Sequence, residues 1–228
     1  MLSDYKVDYR REETIRDAAA ACLAAHAKGS SGAFDITEFV ETSLKDYCRE
    51  KRKCELRICP LDLTKKYDEP ANVSFRPNSI ALHVDRAVWA DAKAGGEHSR
   101  FIVAHEIGHI VFHDHTAKAF SNDASLRIRF AEREYSAEWQ ADTFAEYFLV
   151  PDAAVRKFPD EVLLAIMCNV SIPLARKRLN TYFIALGLVV DTPCGQCGNF
   201  SVIRQGTGLR CFTCNKQVLP VARGAEYR

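Results

Sequence analysis

Residues 100–113 read RFIVAHEIGHIVFH, and residues 132–151 read EREYSAEWQADTFAEYFLVP. The first stretch holds His-Glu-Ile-Gly-His at 105–109, the HExxH pattern. On an α-helix, residues four apart lie one turn apart on one face, with side-chain roots about 6 Å from each other, so the imidazoles of His105 and His109 can reach one metal ion. Glu106 points about 100° further round, beside the ion, where a carboxylate can take a proton from water acidified by the metal. Stepping around the same helix, Val103, Ala104, Ile107, Ile110 and Val111 fall on the opposite side. One face is therefore apolar for a core and the other presents the two imidazoles, with Gly108 leaving space nearby.

A tetrahedral zinc that keeps one water needs a third protein ligand. His115 has the spacing from His105 found in HExxHxxGxxH, but Phe112 stands where that pattern has the glycine that turns the chain back. The helix is therefore expected to run on and carry His115 too far. His113 continues the histidine face about 12 Å along the axis from His105, too far to share an ion. Both are read as helix C-terminal residues, where partial positive charge is favourable. The second stretch offers Glu138 and Asp142 on one face that continues through Ala145 and Leu149, beside a core stripe of Ala141, Phe144 and Phe148. That layout allows Glu138 to bind the metal and Asp142 to accept the free ring N–H of a ligating histidine. Spacing alone leaves open a solvated acidic face that would also include Glu132, Glu134 and Glu146.

RFIVAHEIGHIVFH followed by ExxADxFAxxFLVP resembles the ImmA/IrrE family of bacterial metallopeptidases. Arg100, Ala104, His105, Glu106, Gly108 and His109 fall in place in the first motif, and Glu138, Ala141, Asp142, Phe144, Ala145, Leu149 and Pro151 in the second. Phe148 stands where the family more often has leucine. The resemblance covers roughly residues 12–155. It implies a zincin-like α+β fold, a catalytic zinc on His105, His109 and Glu138, and Glu106 as catalytic base. It also implies a protein substrate, a helix-turn-helix transcriptional repressor whose cleavage switches on a stress-response or mobile-element regulon. For the oxyanion there are two candidates: Tyr135, read as one turn before Glu138 on the same helix, and His83, facing away from Ile80, Leu82 and Val84. Strand 79–84 is read as an edge strand that pairs with extended substrate.

Outward from these helices the pattern extends in both directions. Residues 12–27 are alanine-rich and read as a helix; Asp35 caps a second over residues 36–51; CELRICPL, ANVSF and SIALHV read as a small sheet. Residues 161–184 read as two short helices around Asn-Val-Ser, a helix-turn-helix cadence with Arg176, Lys177 and Arg178 on the second. Packing is the plainer role for this tail. Three parts result: a peptidase domain over 1–155, a helical tail over 156–190 and a last segment over 191–228.

That last segment carries Cys194, Cys197, Cys211 and Cys214 as two CxxC pairs around VIRQGTGLR, the layout of a zinc ribbon with a hairpin tipped by Gly-Thr-Gly. Four thiolates leave no open position, so the expected zinc is structural; a redox dithiol is the alternative reading. Five Lys/Arg face two Asp/Glu from residue 191 on, and a zinc tetrathiolate of about −2 nearly cancels the excess. Nucleic-acid contact through Arg204, Arg210 and Lys216 is thus weakly supported beside a structural or protein-docking role.

The 228-residue chain, 47% hydrophobic and of net charge +1, fits one full domain with a small accessory module and excludes collagen, coiled coil and charge-driven binding of the whole chain. Its nine cysteines are an odd number, against a fully paired secreted framework, and the charged start MLSDYKVDYRREETIR lacks the apolar core of a secretory leader. The longest apolar run, residues 182–190, falls far short of the roughly 20 residues that span a bilayer. A cytoplasmic protein with no membrane segment is expected, with Cys22, Cys48, Cys54, Cys59 and Cys168 as small buried hydrophobes. The rival to a peptidase is a regulatory protein that holds DNA or a partner through tail and ribbon without hydrolysis; the intact Glu106 argues for hydrolysis.

Overall fold

In a computed structural model, residue 4 and residues 6–26, 34–62, 70–114, 133–188, 193–205 and 208–218 are described. The alanine-rich stretch forms α1 (Glu12–His26), with Glu12 and Glu13 in the first turn, where the helix end is positive. Asp35 then caps α2 (36–52) by accepting the N–H groups of Thr37 and Glu38 at 2.8 and 3.2 Å. This helix alternates α-helical turns with wider π-helical ones at Val40–Leu44 and Cys48–Arg52. Ile36, Phe39, Val40, Leu44 and Cys48 are all buried along it.

Three strands follow, β1 (Glu55–Leu61), β2 (Ala71–Arg76) and β3 (Ser79–Asp85), in the order β1-β3-β2. The reading of 79–84 as an edge strand is overturned. β3 lies in the middle, parallel to β1 from Glu55↔Ser79 to Leu61↔Asp85 and antiparallel to β2 from Ala71↔Val84 to Arg76↔Ser79. A strand paired along both edges has no ladder left for an extended peptide. Its alternation of Ile80, Leu82 and Val84, all buried, marks the most covered strand of the sheet, not its border.

After α3 (Arg86–Lys93) come the two long helices of the sequence motifs, α4 (Glu97–Phe112) and α5 (Ala137–Leu149). α5 packs between α1 and α4, and α4 also meets β2. The space beside Gly108 is filled by this crossing: a Cβ there would lie 2.9 Å from the Ala141 Cα and 3.0 Å from its carbonyl oxygen. Only glycine lets the two backbones approach so closely. Because α5 covers that side, His109 and Glu106 are buried along with Val103, Ile107 and Ile110, and α4 is enclosed nearly all round. The expectation that it runs past Phe112 is also corrected. The Arg10 guanidinium donates to the Phe112 carbonyl at 3.2 Å, and Arg52 donates to the carbonyls of Val111, at 3.4 Å, and His113. Two cations thus satisfy the exposed carbonyl end, a task that glycine-terminated helices solve by turning back.

Residues 1–151 and 152–228 are two compact units. In the second, α6 (Asp152–Lys157), α7 (Glu161–Cys168) and α8 (Ile172–Ala185) pack together. Asp160 and Ser171 cap the latter two, and Asn169 turns the chain between them at φ 51°. The basic row on α8 is largely committed within the unit. Arg178 is fully buried with its guanidinium 2.6 Å from Asp152, and Arg176 makes two bonds to Glu161 at 2.6 and 2.8 Å. A sheet of β4 (Val202–Gln205), β5 (Gly208–Cys211) and β6 (Gln217–Val218) follows, with Phe212 packed on the rings of Tyr182 and Phe183. The Gly206-Thr207 tip lies outside the described residues. Among those described, no helix is long and apolar enough to cross a membrane.

Candidate metal centre

α5 begins at Ser136, whose hydroxyl accepts the Trp139 N–H at 2.9 Å and donates to Asp4 at 2.6 Å. The second Asp4 oxygen accepts the Glu138 N–H at 3.3 Å. Glu138 thus stands in the first turn of a firmly capped helix, facing the middle of α4 through the close crossing at Gly108. There its carboxylate oxygens lie 3.2 Å from His105 Nε2 and 3.5 Å from His109 Nε2, and the two Nε2 atoms are 3.0 Å apart. The three side chains offer one ligand atom each within a 4.8 Å cluster. Tetrahedral zinc with bonds of about 2.0–2.1 Å spaces its ligand atoms about 3.3 Å apart, so the donor set and its spacing fit such an ion.

The outer ring nitrogens decide which atoms face inward. His105 Nδ1 lies 2.7 Å from Asp142 Oδ1; an ionised carboxylate only accepts, so Nδ1 carries a hydrogen, and Nε2 is the ring atom turned to the cluster, where a metal would take the place of its proton. Burial alone would lower the His105 pKa, but hydrogen bonds to Asp142 and Glu138 and the charge of Glu106 outweigh it and push it up to about 10.

His109 is held differently, by residues that sequence reasoning passed over. Its Nδ1 lies 2.8 Å from Nδ1 of His113, which caps α4 and is buried. His113 Nε2 is in turn 3.2 Å from Gln140 Oε1. Gln140 is fully buried on α5 and donates from Nε2 to the carbonyls of Asp8 and Glu134 at 2.7 and 2.8 Å. Two signals were available: the repeated four-residue step His105-His109-His113, and an amide set beside the apolar stripe of the facing helix.

The two oxyanion candidates sit in other settings. Tyr135 is not on α5; it ends a 3₁₀ turn, Arg133–Tyr135, that precedes the Ser136 cap. Its ring packs edge-on against Tyr9 at 5.2 Å, with Lys6 Nζ 4.8 Å from its centre. His83 bonds from Nε2 to the Ser74 hydroxyl at 3.1 Å within the sheet. His115 and Glu132 lie outside the described residues.

In the second unit all four predicted cysteines converge, their sulfurs within 4.8 Å of one another. Cys194 to Cys214 and Cys197 to Cys211 are each 3.6 Å apart, far beyond a disulfide bond and close to the roughly 3.8 Å of a tetrahedral zinc tetrathiolate. Each CxxC turn ends on a left-handed residue, Gly198 at φ 72° and Asn215 at φ 61°, the two residue types that adopt it most readily. Burial opposes ionisation of Cys211, yet hydrogen bonds from the Cys214 N–H and the Ser201 hydroxyl outweigh it and draw the thiol down to about 6. The four-cysteine cluster and its hairpin fit a small C-terminal zinc ribbon. Of the other five thiols only Cys48 is fully buried, the rest being half-buried. Burial pushes Cys22 up to about 11 and Cys48 up to about 12, which keeps both as neutral thiols.

Compared with known proteins, the chain matches the IrrE N-terminal-like domain, peptidase family M78, over residues 50–180. No curated protein matches it. The match spans more than half of the chain and takes in both α4 and α5. With the α+β core and the His/His/Glu cluster already in view, the chain belongs to the ImmA/IrrE family of metallopeptidases.

Proposed function

We propose that the protein is a zinc-dependent endopeptidase in which His105, His109 and Glu138 hold the catalytic ion and Glu106 is the general base. One observation carries this reading: two Nε2 atoms and a carboxylate converge while Asp142 and His113 occupy the opposite nitrogens of the two rings. Zinc bound there supplies Lewis acidity, lowering the pKa of water and polarising a peptide carbonyl. The chain's own residues supply the rest. Glu106 takes the proton from the attacking water and passes it to the departing amide nitrogen. Asp142 holds the His105 ring in its tautomer. A second, structural zinc sits in the ribbon, giving two per chain.

The peptidase family gives a protein substrate; we take it to be a helix-turn-helix repressor of a stress response or mobile element, met in the cytoplasm. The ribbon and helical tail serve as a structural or docking appendage. Binding of DNA by the α8 basic row is disfavoured because Arg176 and Arg178 are already paired with acids of their own unit. The test is a Glu106→Gln variant incubated with the repressor encoded beside its gene, with products read by mass spectrometry. Wild type should release two fragments. The variant should keep its metal and cleave at least ~100-fold more slowly, as loss of a general base requires. Equal cleavage by the two proteins would remove Glu106 from the mechanism.

A further inference from the structure

The proposed mechanism gives His113 and Gln140 no chemical step, yet both are buried polar side chains aimed into the back of the zinc site. The hydrogens can be placed one by one along this chain. Gln140 Nε2 has two hydrogens and two carbonyl acceptors, those of Asp8 and Glu134. Its Oε1 must therefore be the atom facing His113, and an amide oxygen only accepts. His113 Nε2 then carries the hydrogen at the 3.2 Å contact, and in the neutral ring Nδ1 is left as an acceptor. That acceptor lies 2.8 Å from His109 Nδ1, so His109 carries its hydrogen on Nδ1 and turns the Nε2 lone pair towards Glu138 and His105.

We propose that His113 and Gln140 are positioning residues: a two-member relay, anchored on the backbone of the N-terminal segment at Asp8, that fixes the tautomer and orientation of His109. Its neighbour His105 is oriented by a carboxylate, Asp142. The centre thus has one anionic and one neutral support, which avoids a fourth carboxylate beside Glu106, Glu138 and Asp142. This inference rests on the reading of His109 as a zinc ligand, and its test separates the two.

Two amide variants of His113 split the ring's functions. Asparagine places its oxygen where Nδ1 stands and keeps an acceptor for His109; glutamine places its nitrogen near Nε2 and keeps the donor to Gln140. Full-length wild type, His113→Leu, His113→Asn and His113→Gln would be titrated with a chelator. His109→Ala reports the ribbon zinc alone, so the difference belongs to the His/Glu centre. Loss of the acceptor should weaken zinc at that centre about 10–100-fold in the Leu and Gln variants, and Asn should restore most of it. Long-range proton–nitrogen spectra of the zinc-loaded protein should show His109 protonated at Nδ1 and His113 at Nε2. Thermal unfolding of the metal-free variants controls for packing: a simple core role would rank Gln above Asn, because Gln is nearer histidine in volume. Wild-type zinc affinity in His113→Leu, or a His113 ring protonated at Nδ1, would overturn the relay. A His109→Ala protein that binds zinc as wild type does would instead overturn the metal reading on which the relay depends.

Discussion

Replacing Gly108 with alanine tests how tightly the metal centre depends on one helix crossing. The new methyl would lie 2.9 Å from Ala141 Cα, 3.0 Å from Ala141 O and 3.2 Å from Phe144 Cβ. Ordinary contacts between such atoms begin near 3.4 Å, so relief requires the helices to part by about 0.5–1 Å. The first two atoms are backbone, and the helix they belong to is buried along most of its length, so no rotamer change can give way. Overpacking of this kind costs about 1–3 kcal/mol, while alanine regains about 1 kcal/mol of helix propensity. The net loss is then about 0–2 kcal/mol, a fall in Tm of no more than about 8 °C for a unit of this size. The metal should respond far more strongly. Glu138 and Asp142 ride on α5, and a shift of that size would take the 2.7 Å His105–Asp142 bond past about 3.2 Å. Ligand distances tolerate only about 0.2 Å. Zinc affinity at the His/Glu centre should fall at least ~10-fold, read by chelator competition, while differential scanning calorimetry shows a mild loss. A Gly108→Ala protein with wild-type zinc affinity would refute the claim that this contact sets the ligand geometry.

Metal analysis of the purified chain should give two zinc ions, falling to one in His109→Ala and to one in Cys211→Ser, the latter with loss of ribbon structure because a tetrathiolate ribbon folds on its ion. Asp35→Ala should destabilise the first unit by about 1 kcal/mol at neutral pH through loss of the α2 cap. Burial raises the Asp35 carboxyl, but bonds from Thr37 and Glu38 and the charge of Lys93 hold it below its ordinary value. A depressed carboxyl stabilises above its unfolded pKa, so the gap between wild type and variant in urea unfolding should narrow as pH falls below about 3.9. Arg178→Ala should cost the second unit about 3 kcal/mol, the lower end for a broken buried pair because Asp152 keeps some solvent. Arg178→Met, which refills the volume, should cost less; both can be followed by hydrogen exchange of the α8 amides.

The helices, the strands, the histidine pair and the four-cysteine cluster were readable because each depends on spacing within one or two short segments, whereas Glu138 was joined to the histidines only by the family resemblance. Histidines four apart must share a helical face, and paired CxxC turns must converge if a hairpin joins them. What spacing does not encode is partnership between distant segments. The sheet order required knowing that β1 crosses to lie beside β3, so β3 looked like an edge. The end of α4 depends on Arg10 and Arg52, which come from far earlier in the chain and replace the glycine that a local reading demands. Tyr135 was assigned to α5 by continuity of pattern, whereas Ser136, with its hydroxyl on the Trp139 N–H, starts the helix one residue later. The relay through His113 and Gln140 escaped for the same reason: its members lie on two helices and the strand of chain at Asp8.

That dependence has a practical edge. The matched family span begins at residue 50, yet Asp4, Asp8 and Arg10 hold the ends of the two helices that carry the His/His/Glu cluster. A fragment trimmed to the matched span would leave the Gln140 amide with Glu134 alone and take the Arg10 donor from the Phe112 carbonyl, at about 1 kcal/mol for each hydrogen bond lost. The smallest piece of this chain able to keep the His105–His109–Glu138 cluster in place is therefore set by residues that carry no motif.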